Sequence, residues 1–174
     1  MTIMKKSKGI AAICVVASIL LITASVLLST TQAAAETAKW RSVAVDSRFD
    51  YVDVGEVDGQ PLDIFLHEAK GLTMFENGEV AFCKFSGQGQ AMEKARGFAV
   101  NTFEDGSTTW VKYQATVRPG EGGEVQFFTL EGTFEYIGGT GRFEGIRGKG
   151  SYTGKYFPTY GVTYADNTAE YTLP

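Results

Sequence analysis

From about residue 43 to the C terminus, apolar and polar residues alternate with a period of two. The clearest stretch sets Phe128, Leu130, Gly132, Phe134 and Tyr136 on one face against Thr129, Glu131, Thr133 and Glu135 on the other, as in a strand with one dry and one wet side. The same holds for Ile146, Gly148, Gly150, Tyr152, Gly154 and Tyr156 against Arg147, Lys149, Ser151, Thr153 and Lys155. It holds again for Thr109, Val111, Tyr113, Ala115 and Val117 against Thr108, Trp110, Lys112, Gln114 and Thr116. Hairpin signals punctuate the alternation: Asp58-Gly59, Asn77-Gly78, Asp105-Gly106, the run Pro119 to Gly123, and Gly138-Gly139-Thr140-Gly141. Asn, Asp and Gly tolerate the positive φ that tight hairpin turns require. No window of a dozen residues sustains a helical period. The pattern predicts strands over 43–54, 62–67, 71–76, 79–87, 90–103, 107–118, 124–137, 142–156 and 162–173, about eight or nine in all.

Antiparallel strands joined by short hairpins leave two unpaired edges unless the sheet closes, so the expected fold is all-β, a closed up-and-down barrel of about eight strands. Repeated glycines on the inward face of 146–156 favour closure, because they permit strong coiling and leave interior volume. A barrel of that size is either filled by its own side chains or holds one small molecule.

The first 35 residues are a different object. They contain no Asp, no Glu and no aromatic residue, so all 12 Phe, 8 Tyr and 2 Trp lie beyond them. Lys5, Lys6 and Lys8 precede an uncharged run from Gly9 to Ser29, and Ala33 and Ala35 supply small side chains for signal peptidase. Residues 1–35 are therefore expected to be a secretory signal helix, with cleavage after Ala35 or retention as an anchor both open. Either outcome places residues 36–174, a single barrel domain, outside the cytoplasm. Without the three lysines that domain carries 13 basic against 20 acidic residues, a net charge of −7. Such acidity argues against nucleic acid and against a membrane contact beyond the signal or anchor segment. Cys14 lies in the apolar run, so Cys83 is alone in the body and no internal disulfide can form. Its setting in Ala81-Phe82-Cys83-Lys84-Phe85 predicts a buried thiol.

The most specific string is Gly138-Gly139-Thr140-Gly141-Arg142-Phe143-Glu144-Gly145-Ile146-Arg147-Gly148. It resembles the G-G-T-G-x-F-x-x-A-R-G segment of the allene oxide cyclase and dirigent barrel superfamily, with Gly138, Gly139, Thr140, Gly141, Phe143, Arg147 and Gly148 matching and Ile146 in place of the usual Ala. The Asp105-Gly106-Ser107 turn and the Glu131–Phe134 strand are similar to those of uncharacterised bacterial members. The resemblance covers about residues 97–156. It implies a calycin-like barrel around a hydrophobic pocket, with cyclisation or radical steering that uses neither metal nor nucleotide. Read physically, the glycine turn allows positive φ, Phe143 plugs one barrel end, and Arg147 forms a buried ion pair with Glu131 or Glu135.

Candidate chemistry is sparse. His67 is the only histidine, which excludes multi-histidine metal sites, and its neighbours point to a surface or strand-end position. The glycine run is not a phosphate loop, since no Lys-Ser or Lys-Thr follows. Asp46, Asp50, Asp53 and Asp58 read as a solvated strand face. If Phe49, Tyr51 and Asp53 point inward, Asp53 is the catalytic acid or base candidate. No metal or other cofactor is expected. Tyr113, Phe128, Phe134, Tyr136 and Tyr152 are the expected lining for a hydrophobic or aromatic small molecule. Three functions stay open: a binding module, a cofactor-free cyclase or isomerase in the same pocket, and a filled structural barrel of the envelope. Self-association as a homo-oligomer is open too.

Overall fold

A computed structural model of the chain describes residues 34–57, 60–90, 93–121, 123 and 125–174. The expected signal helix, up to residue 33, and the Asp58-Gly59 turn lie outside the described residues. Eight antiparallel strands follow in chain order: β1 (Glu36–Val57), β2 (Gln60–Phe75), β3 (Val80–Gln90), β4 (Lys94–Phe103), β5 (Thr108–Pro119), β6 (Phe128–Thr140), β7 (Arg147–Phe157) and β8 (Val162–Thr172). Each pairs with its chain neighbour, and β1 closes the barrel on β8 from Glu36↔Tyr171 to Val45↔Val162. Among the described residues the only helical element is the 3-10 turn Gly141–Phe143.

Several details differ from the sequence expectation: β1 begins at Glu36, well before 43, β6 begins at Phe128 and β7 only at Arg147, after the 3-10 turn. The segments 62–67 and 71–76 are one strand, β2. Gly71 is not a break; it pairs with Ala44 and Cys83, and a Cβ there would fall on the Val43 carbonyl, so glycine lets β1 approach. The glycine run is only partly a turn, because Gly138, Gly139 and Thr140 stay in β6 opposite Trp110, Thr109 and Thr108. The register slips between Trp110 and Val111, which leaves Ile137 as the extra residue of a bulge. The turn proper starts at Gly141, whose φ of +61° suits glycine and whose missing Cβ makes room for the Ser107 hydroxyl.

The period-two faces fall as the alternation predicts, with Phe134, Tyr136, Ile146 and Tyr156 buried inside and the charged residues of β6 and β7 outside. Arg147 is indeed on the outer face, but it is exposed and makes no buried ion pair. Its guanidinium donates to the Ile146 carbonyl at 2.8 Å, while Glu131 and Glu135 face Arg118 and Lys112. Register explains this: the β6–β7 ladder ends at Glu135↔Lys149, and Arg147 lies opposite Thr172 of β8.

One end of the barrel is sealed. Phe75, Phe143 and Tyr171 pack against the core that holds Ile146, which is 1% exposed, and Phe103 lies with its ring centre 4.7 Å from that of Phe143 and 5.4 Å from that of Phe75. Phe143 is thus the expected plug. Above it Arg142 lies 4.8 Å over both rings and reaches Glu79 at 2.5 Å and Asp105 at 3.4 Å, tying three hairpin turns together. The Asn77 and Asp105 carboxamide and carboxylate oxygens accept from the backbone N–H of Glu79 and Ser107, which fixes two of those turns.

Candidate functional site

The other half of the barrel holds a cavity of about 130 Å3, opening toward the end opposite the plug. Its walls are mostly apolar: Trp40, Phe65, Phe85, Val111, Val117, Leu130 and Phe134 with several alanines. The space exists because inward positions in this half carry little or no side chain. Gly87 and Gly97 are paired across β3 and β4, and Ala95 pairs with Ala115 across β4 and β5.

Polar groups enter at two levels. At the middle of the barrel, Ser42, Thr73, Asn101 and Thr109 form a buried chain: Ser42 and Thr73 share a hydrogen bond of 3.2 Å, Thr73 donates to Asn101 at 3.0 Å, and Asn101 donates to Thr109 at 3.3 Å. Asn167 joins it by donating to the Ser42 hydroxyl at 3.5 Å and also donates to the Ala165 carbonyl at 3.1 Å. Ser42, Asn101 and Asn167 line the cavity, and among the described residues no buried side-chain polar atom lacks a partner. Cys83 sits beside this chain, fully buried; desolvation pushes its thiol up despite the Thr73 hydroxyl, so it is poorly suited to act as a nucleophile.

At the open half, His67, Asp46 and Tyr156 form a connected group. His67 Nε2 lies 2.6 Å from one Asp46 oxygen, and the Tyr156 hydroxyl donates to the other at 2.8 Å. The side chains of Asp46 and His67 are only 13% and 17% exposed. Phe49 stacks on Phe65 at 5.7 Å and on Tyr156 at 6.1 Å, and lies 5.9 Å from the imidazole. Since a carboxylate only accepts, Nε2 carries the proton of this contact, and Nδ1 is the ring nitrogen that Asp46 does not engage. Burial, then the bond to Asp46, drives the Tyr156 phenol upward, so it remains a donor.

Of the expected lining residues, Tyr113, Phe134 and Tyr152 face the cavity. Tyr136 is buried in the sealed half, edge-on to Phe134 and Tyr171, and Phe128 lies outside the lining opposite Tyr156. Burial alone raises the Tyr113 phenol to about 12 and also raises Tyr152. Asp53 is not in the cavity. It is exposed, and its carboxylate accepts from the Gly55 N–H at 2.8 Å. The inward face passes through Phe49 as expected, but β1 has already left β8 at Val45, so the hairpin beyond projects past the barrel rim and no wall faces Asp53.

His67 and Asp46 were missed for two reasons. In Leu62-Asp63-Ile64-Phe65-Leu66-His67 both faces carry apolar residues, so alternation does not choose the inner one. A register shift between Asp46 and Arg48 then moves the inward parity of β1 from even to odd numbers. The available signal was the run Phe65, His67, Ala69, Gly71, Thr73, whose small members share the parity of the histidine. In comparisons with known proteins, no family model, curated protein or solved structure matches this chain.

Proposed function

We propose that this small β-barrel binds an apolar or aromatic molecule inside its open half, as an exported binding module. The carrying observation is the cavity itself: apolar walls, one sealed end, one open end and a few polar groups, which is the usual make-up of a ligand site. Its volume decides ligand size. A cavity of about 150 Å3 accommodates a benzene-sized guest, so about 130 Å3 suits a single ring or a branched chain of similar bulk.

Export rests on the lysine cluster, the apolar run and Ala33/Ala35 of the sequence. Membership of the allene oxide cyclase and dirigent superfamily rests on the glycine string and is compatible with the eight-stranded closure. A cofactor-free isomerase in the same cavity is the second reading, favoured by the buried His67–Asp46 pair. Native mass spectrometry of the chain purified from its own host tests the binding reading: a retained small apolar molecule is expected. Calorimetry with ring-sized apolar ligands extends the test. A bare protein that also takes up none of them overturns the reading.

A further inference from the structure

The cavity carries an acceptor and a donor on one row of the barrel wall. His67 of β2 pairs with Gly87 of β3, Gly87 with Gly97 of β4, and Gly97 with Tyr113 of β5. Two successive glycines therefore leave the space between the histidine and the tyrosine without a side chain. Tyr113 leans into that gap. A Cβ on Gly97 would come within 2.8 Å of its hydroxyl, and one on Gly87 would fall on the hydroxyl itself. The hydroxyl thus lies between Gly87 and Gly97, and only the bare Gly87 position separates it from the His67 row of β2. Both side chains line the cavity. Asp46 fixes the ring through Nε2, leaving Nδ1 as the nitrogen available to a guest, and burial keeps the Tyr113 phenol protonated.

We propose that the cavity is a proton-transfer site for a small enolisable carbonyl compound, with His67 as base and Tyr113 as hydrogen-bond donor to the carbonyl oxygen. This rests on the binding reading above and names its substrate class. For a β,γ-unsaturated ketone, His67 Nδ1 takes the proton from the carbon between the carbonyl and the double bond. The C–H electron pair becomes the new C=C, and the carbonyl π pair moves to oxygen, where the Tyr113 hydroxyl stabilises the charge. The imidazolium, facing the Asp46 carboxylate, returns the same proton to the γ-carbon. The double bond shifts into conjugation, with no electron gained or lost overall. Asp46 is a positioning residue acting through the imidazole.

The test uses the full chain with 3-cyclohexen-1-one, a ring that suits the cavity, and follows formation of 2-cyclohexen-1-one by its enone absorbance. Cyclohexanone, which has no double bond to shift, reports binding alone by calorimetry. The expected result is conversion above the buffer rate, reduced about 100-fold or more in His67→Gln and about 100-fold in Tyr113→Phe. Asp46→Asn lowers kcat while KM stays within a few-fold, and Asp53→Asn, outside the cavity, changes neither. His67→Ala regains conversion on addition of imidazole, which a purely structural histidine would not show. If cyclohexanone binds but the wild-type chain does not accelerate conversion, the proton-transfer proposal is wrong and the binding reading survives. Wild-type conversion rates in a His67→Gln protein that still binds cyclohexanone also overturn it. If cyclohexanone does not bind, this proposal fails, and the calorimetry with other ring-sized ligands decides the binding reading separately.

Discussion

The two halves of this barrel share one backbone plan and differ in the side chains they send inward. Toward the plug, those positions carry Phe75, Phe103, Tyr136 and Ile146, with Trp40 between the two halves and the buried hydroxyls of Thr73 and Ser107 the polar groups nearest the rings. Toward the opening they carry Gly87, Ala95, Gly97 and Ala115 between a few large rings, with an imidazole and a carboxylate among them. An eight-stranded interior is either filled by side chains at dense packing or holds one small molecule, and this barrel does the first at one end. The sealed half supplies that packing, and the open half gives some of it up for space and chemistry.

The sharpest way to break this contrast is to hollow out the sealed half. Ile146→Ala removes a side chain buried at 1% exposure among tightly packed rings. A loss of about 2–5 kcal/mol is expected, seen as a fall in Tm on the order of 10 °C by calorimetry. Ligand affinity well below that Tm should be unchanged, since Ile146 does not line the cavity. An affinity loss matching the stability loss would show that the halves are not separable.

The converse change fills the open half. Ala115→Leu adds three carbons to a position that lines the cavity and pairs with Ala95. Affinity for a ring-sized ligand should fall at least about tenfold, because the guest and the new side chain compete for the same volume. Stability should move by no more than about 1–3 kcal/mol, the usual range for added core volume. A variant that binds as tightly as the parent would place the ligand elsewhere.

The sealed half was far more legible in the sequence than the open one, and the reason is physical. Alternation and turn chemistry are local, so the hairpins at Asn77-Gly78 and Asp105-Gly106, the inward facing of Tyr136 and Ile146 and the position of Phe143 at the barrel end could be read directly. Parity across a bulge is not local. The shift at Asp46/Arg48 is imposed by pairing with β2 and brings Asp46 and Phe49 to the same side, which no period-two count can register. Strand overhang is equally hidden, and it is what turned the expected acid Asp53 into an exposed residue. The ion pair assigned to Arg147 failed because it needed the β6–β7 register, and the arginine that does bridge turns is Arg142, five residues earlier.

The smallest effect is expected at that arginine. Arg142 lies 42% exposed over Phe103 and Phe143 and bridges Glu79 and Asp105, so water screens its ion pairs and each contributes little. Arg142→Ala should lower Tm at neutral pH by only a few degrees. Its value lies in the pH dependence. The Asn77 amide and then the Arg142 guanidinium hold the Glu79 carboxyl below its ordinary 4.5, and the Ser107 backbone N–H, with Arg142 a lesser contributor, holds Asp105 below 3.8. A carboxyl whose folded value is depressed stabilises the fold above its unfolded value, and that contribution disappears as pH falls through the folded value. Thermal melts of the wild-type chain between pH 6 and pH 3 should therefore show a loss of Tm concentrated below about pH 4.5, and part of that loss should be absent in Arg142→Ala. Adding salt at pH 6 should shrink the wild-type advantage further. If the two proteins lose Tm in parallel across the whole range, the aromatic contact of Arg142 rather than its charge is what steadies the sealed end. In that case Arg142→Met, which keeps apolar cover without charge, should melt with the wild type.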